Sequence, residues 1–112
     1  MLLIPPDLSQ KLMQQWRRCG ELPVEDHVLK MWVKIFDPMG SMTWYICEQN
    51  PDNWDELYGF VIGDFPEWGY SSLEELKLHI GPLRIGLERD MHYTPLTVHD
   101  FKQKLKENEY SR

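Results

Sequence analysis

The sequence predicts an α+β domain: an antiparallel sheet of four to five strands with three helices packed against it. Three observations predict this. Apolar residues recur at helical spacing near both ends of the chain. Short alternating segments fill the stretch between residues 28 and 71, each closed by a turn signal. The element order, α-β-β-β-β-α-β-α with short connections, is that of a sheet covered by helices rather than of repeated parallel units. At 112 residues, the whole of 1–112 reads as a single domain, long enough to bury a core without a metal or disulfide staple.

The first helix lies in "PPDLSQKLMQQWRRCG". Leu8, Leu12, Met13 and Trp16 form one apolar face, Asp7 is placed to cap it and Gly20 to end it. Arg17 and Arg18 suit the negative end of its dipole. "VLKMWVKIF", 28–36, alternates as a strand, with Leu29, Met31, Val33 and Ile35 on one face and Lys30, Trp32 and Lys34 on the other. "DPMGS" is a turn, and "MTWYICE", 42–48, completes a hairpin. Within that strand, Thr43 and Tyr45 share a face and Trp44 takes the other, with Ile46, toward a core. After the loop "NPDNWDE" comes a third strand, 57–63, whose Gly59 signals a bulge or a close backbone approach. "DFP" turns the chain into a short fourth strand, 67–71. "SSLEELKLHIGP" is a second helix, opened by the Ser72/Glu75 capping box and stopped at Gly81-Pro82. "LRIGLERDMHY", 83–93, reads as a fifth strand. "TPLTVHDFKQKLKENEY" holds a third helix, capped by Thr97 and striped by Val98, Phe101 and Leu105.

Composition narrows the function classes. Apolar content of 42% and charged content of 27% are those of an ordinary globular chain. "MLLIPP" is too short for a signal-peptide core and is broken by two prolines, and no apolar run reaches a membrane-spanning length. Cys19 and Cys47 form no motif, so both are expected to be free, buried thiols in a reducing cytoplasm. The net charge of −6 argues against direct binding of nucleic acid, which calls for a surplus of Lys and Arg.

That charge is unevenly placed. Between Lys34 and Lys77 there is no Lys or Arg, while the same interval carries acids and aromatic residues. Basic residues gather in the terminal segments, as at Arg17, Arg18, Lys102, Lys104 and Lys106. Such asymmetry steers a basic partner, and aromatics beside acids suit an interface core with a polar rim. Asp52, Trp54, Asp55, Glu56, Asp64, Glu67 and Trp68 are the candidate partner-binding residues. Trp54 stands out because it lies in a polar loop between Asn53 and Asp55. The plainer alternative is that the aromatics fill the core and the acids are a solvated face.

A second candidate is the row Glu88, Arg89, Asp90 and His92. In a continuing strand, Glu88, Asp90 and His92 share a face and Arg89 takes the other. That row offers oxygen and nitrogen ligands, or an acid/base pair. Its carboxylates need compensation, for which Lys34 and Arg84 are candidates. The alternative is a strand-end ion-pair network, with Arg89 reaching Glu48 or Glu67. His27, His79 and His99 form no metal-ligand spacing, and no phosphate loop or nucleophile elbow appears. No metal or cofactor is expected.

Three segments, "KIFDP…TWYICE", "FPEWGYSSLEEL" and "IGLERDMHY", together resemble a small bacterial domain family of unknown function. Lys34, Phe36, Pro38, Thr43, Trp44, Glu48, Pro66, Glu67, Gly69, Tyr70, Leu73, Leu76, Glu88, Arg89 and Asp90 stand at its pattern positions. Trp68 departs from the usual leucine, and Ser71 from a β-branched residue. The resemblance implies a plasmid or mobile-element setting, near conjugation and antirestriction genes, and says nothing about chemistry, since no activity, cofactor or catalytic residue is established for the family. The combined expectation is a cytoplasmic, non-enzymatic protein-interaction module. Its partner would be a host or plasmid protein, in the sharper version a nucleic-acid-handling defence complex. The alternative is a small-ligand binder or metal-dependent enzyme built around Glu88, Arg89, Asp90 and His92.

Overall fold

The structure, a computed structural model, describes residues 2–21, 23–79 and 85–107. Helix α1 (Pro6–Glu21) is followed by strands β1 (Lys30–Met31), β2 (Val33–Phe36), β3 (Thr43–Gln49), β4 (Glu56–Ile62) and β5 (Glu67–Ser72). Helix α2 (Leu73–Leu78), strands β6 (Glu88–Arg89) and β7 (Leu96–Thr97) and helix α3 (Val98–Lys106) complete it. Five strands form one antiparallel sheet in the order β5-β4-β3-β2-β6, and β1 pairs with β7 in a small second sheet. The α+β class and the three helices are as the sequence predicts.

The sheet is buried on both faces. On one, Leu12 of α1 and Leu73 and Leu76 of α2 pack on Val33, Ile35, Trp44, Ile46 and Leu57. On the other, Val98 and Phe101 of α3 pack on Met31, Tyr45, Cys47, Phe60 and Ile62. The pleat of β3 therefore sends Trp44 and Ile46 to one core and Tyr45 and Cys47 to the other. This is why "TWYIC" is apolar at every position rather than alternating.

Several elements differ from the sequence expectation. The predicted strand 28–36 is broken at Trp32: Met31 joins the α3 core, whereas Val33 and Ile35 join the α1 core. Helix α1 starts at Pro6, with the Pro5 carbonyl accepting from Ser9 N–H at 2.9 Å, so Asp7 lies in the first turn rather than at the cap. Gly20 lies inside that helix, which ends at Glu21. The predicted fifth strand contracts to Glu88–Arg89, and its first residues, like the Gly81-Pro82 stop, lie outside the described residues. Helix α3 is capped by Thr97, whose hydroxyl accepts from Asp100 N–H at 3.1 Å. The later part of the predicted third helix, from 108 on, also lies outside them. Cys19 is exposed, contrary to expectation, while Cys47 is buried.

Gly59 behaves as its place in a strand suggested. A Cβ there would lie 1.9 Å from the Tyr45 carbonyl oxygen, so β3 and β4 approach where no side chain fits. One residue further along β3, the register shifts between Ile46 and Glu48. The extra residue of this bulge, Cys47, loses its place in the ladder.

Candidate functional site

The β4–β5 hairpin organises the acidic, aromatic interval. Asp52, Trp54, Asp55 and Glu56 lie at its open end, and Asp64, Glu67 and Trp68 lie at or beside its turn. The seven residues of β4 separate the two groups by roughly 20 Å at about 3.3 Å per residue. They form two clusters joined by β5, which among the described strands pairs only with β4. The other edge of β5 is therefore the outer edge of the sheet.

The seven candidate partner-binding residues have different surroundings. Asp55 is engaged in the fold: its carboxylate accepts from the Ser72 hydroxyl at 2.8 Å and from Glu74 N–H at 2.7 Å. With Ser72 accepting from Glu75 N–H at 3.2 Å, it caps α2. Glu56 pairs with Ser72 in the ladder. Asp52 is exposed. Trp54 is 52% exposed, with Lys77 Nζ 5.3 Å from its ring. Asp64 and Glu67 are exposed, and Trp68 is half-buried against Phe60 and Phe101 on the α3 face. The structure adds two residues that strand alternation did not single out, Phe65 at 84% exposure in the turn and Tyr70 at 67% on β5.

The Glu88–His92 segment does not continue as a strand. Beyond Arg89 the chain turns: Asp90 N–H donates to the Lys34 carbonyl at 2.8 Å, and Asp90 Oδ1 accepts from His92 N–H at 2.9 Å. Lys34 compensates Asp90 at 3.4 Å, one of the two cations expected for that role; the other, Arg84, lies outside the described residues. Arg89 Nη1 donates to the Leu2 carbonyl at 3.2 Å rather than reaching Glu48 or Glu67. A cleft of about 410 Å³ adjoins Lys34, Arg89 and Asp90. Among the described residues, no group of three or more His, Cys, Asp or Glu could hold a metal ion.

A third region was not anticipated. The bulge turns Cys47 and Glu48 to the same side, opposite Tyr58, beneath α3 and the 23–29 segment. There they line a pocket of about 220 Å³ with Asp26, Lys102 and Trp68. Burial raises the Glu48 carboxyl above its ordinary range. Burial, and then the Glu48 charge, raise the Cys47 thiol, which is therefore protonated and a poor nucleophile. The irregular backbone here is repaired from α1. Gln15, 6% exposed, donates through Nε2 to the carbonyls of Lys30 at 2.8 Å and Cys47 at 2.7 Å. Its Oε1 accepts from Lys30 N–H at 2.9 Å and Trp32 Nε1 at 3.2 Å. A polar residue one turn from Leu12 on the apolar stripe was the available sequence signal for this role.

Residues 3–106 match the family described as a protein of unknown function (DUF2958), and the chain belongs to that family. No curated protein and no solved structure matches it.

Proposed function

We propose that this DUF2958 protein is a non-enzymatic protein-interaction module of a mobile genetic element, cytoplasmic, which binds a basic partner through the outer edge of β5 and the β4–β5 turn. One observation carries the reading. An unpaired sheet edge bears exposed Tyr70, flanked by exposed Phe65 and Glu67, within an interval from 35 to 76 that holds no Lys or Arg. Exposed edge strands are sites of strand addition, and aromatic anchors with an acidic rim favour a basic partner over a random hydrophobic one. The mobile-element setting rests on the resemblance of the sequence motifs. The sharper form is anti-defence: an acidic edge occupying a groove of a nuclease or effector that otherwise holds DNA phosphates.

The test is affinity capture from nuclease-treated host lysate, run in parallel with the parent chain and a Phe65→Ser/Glu67→Lys variant. Both substituted side chains are exposed, so the variant is expected to fold as the parent does. A stoichiometric partner retained by the parent and lost by the variant supports the reading. Equal retention by both, or no partner for either, contradicts it. A second reading, a small-ligand site, is favoured by the cleft beside Lys34, Arg89 and Asp90; it predicts a ligand-induced thermal shift that Asp90→Asn removes.

A further inference from the structure

The pocket under the β3 bulge holds an unbalanced charge. Glu48 and Asp26 both line it, and Lys102 is the cation that lines it with them. Lys102 is already committed: its Nζ lies 2.8 Å from Asp26 Oδ2 and 5.7 Å from the Trp68 ring centroid. Among the described residues, Glu48 has no ion-pair partner; its polar contact is the weakly donating Cys47 thiol, 4.0 Å from Oε2. That thiol also lies 3.4 Å from the Tyr58 carbonyl, and its single proton can go to only one of the two acceptors at a time. With Glu48 ionised, two carboxylates and one ammonium leave the pocket at −1.

A half-buried carboxylate without a cation is costly, and the cost is relieved by uptake of a proton or by a cation that supplies the missing charge. Gln15, Leu29 and Val98 also line the pocket, and its aromatic wall says what kind of cation. Tyr58 and Trp68 stack with centroids 6.1 Å apart and planes 18° apart, giving aromatic surface beside the carboxylate. Carboxylate plus aromatic wall recognises an organic cation, through ion pairing and cation–π attraction with burial of its alkyl stem. A hydrated divalent metal gains nothing from the rings, and no three-ligand set is present among the described residues. The volume of about 220 Å³ falls below the roughly 300–1,000 Å³ of drug-sized ligand sites, so the occupant is small.

We propose that this pocket binds a small organic monocation, an alkylammonium or alkylguanidinium group, with Glu48 as its counter-charge and Tyr58 and Trp68 as its walls. The site lies on the α3 face of the sheet. It is independent of the β5-edge reading, and either can fail without the other. The cation is either a free amine or the side chain of a lysine or arginine on a partner. Both sources present the same group.

The experiment is a titration of the full chain with n-butylammonium, n-butylguanidinium and lysine blocked at its backbone ends only (Nα-acetyl-lysine methylamide, with a free ε-ammonium). It is read by amide and indole chemical shifts, with n-butanol as the neutral control. Saturable shifts centred on Glu48, Tyr58 and the Trp68 indole are expected, with Kd on the order of 1 mM for so small a ligand. Glu48→Gln should weaken binding at least about tenfold, and n-butanol should bind at least about tenfold more weakly than n-butylammonium, as expected for loss of a charged partner. Tighter binding of blocked lysine would assign the cation to a partner's side chain, and tighter binding of a free amine to a small molecule. The proposal is overturned if a Glu48→Gln chain with a native spectrum binds as the parent does, if n-butanol binds equally well, or if no ligand produces saturable shifts in this pocket.

Discussion

Gln15→Leu tests whether one buried amide holds the irregular part of this fold together. Leucine fits the apolar stripe of α1 beside Leu12 and is close in size, so the change isolates the loss of polar atoms. Gln15 serves the Lys30 N–H, the Lys30 carbonyl, the Cys47 carbonyl and the Trp32 indole N–H. The Cys47 carbonyl belongs to the bulge residue, and both Lys30 groups lie beside the strand break at Trp32. An orphaned buried group costs about 1–3 kcal/mol, and with some groups regaining water the net loss is about 3 kcal/mol. At about 2.1 cal/mol/K per residue, 112 residues unfold with an entropy of about 0.24 kcal/mol/K, so Tm falls by about 13 °C. Urea unfolding and thermal melts of parent and variant measure it directly. Gln15→Glu keeps an acceptor but turns the other atom toward two carbonyls without a proton, so at neutral pH it should cost at least as much. A loss below about 1 kcal/mol for Gln15→Leu would refute the role, because that is the ordinary cost of one solvent-compensated hydrogen bond.

Other perturbations follow from the same geometry. Gly59→Ala should cost about 3 kcal/mol or more, because its Cβ would lie 1.9 Å from the Tyr45 carbonyl oxygen. Its ladder partner is the control: Gly69→Ala meets nothing within 4 Å and should change stability by less than about 1 kcal/mol in chemical denaturation. Burial raises the Glu48 carboxyl, so the folded state holds that proton more tightly than the unfolded state. Stability then falls as pH rises from the ordinary carboxylate value through the raised one. Glu48→Gln should accordingly melt above the parent at neutral pH, and the advantage should vanish below the ordinary carboxylate value. At mildly alkaline pH, iodoacetamide should modify exposed Cys19 and spare Cys47 until denaturant is added, as mass spectrometry of the peptides would show.

The parts of the fold legible in the sequence are those written in local chemistry. The S-x-x-E signal at Ser72, the Thr97 cap, the "DPMGS" hairpin and Gly59 each describe a requirement met within a few residues or at one close contact. Faces were harder to read. "VLKMWVKIF" alternates, yet it serves two cores because the chain breaks at Trp32, and alternation cannot register a break whose cause lies in other elements. The two-residue strand Leu96–Thr97 carries no periodic signal, since its pairing with Lys30–Met31 is set by the approach of distant segments. The acidic, aromatic character of 35–76 could be counted directly, but its division into two clusters depends on the length of the hairpin. Gln15 and Glu48 carry no local signal for their roles: the register shift of β3 against β4 places Glu48 in the pocket, and Gln15 serves both that bulge and the strand break at Trp32.

The most direct test of the β5-edge account is hydrogen–deuterium exchange of the chain, alone and with its captured partner. The account predicts slowed exchange at amides of Glu67–Ser72 and the preceding turn, with 88–92 unchanged. Protection confined to 88–92 or to α3, with β5 exchanging as in the free chain, would contradict it.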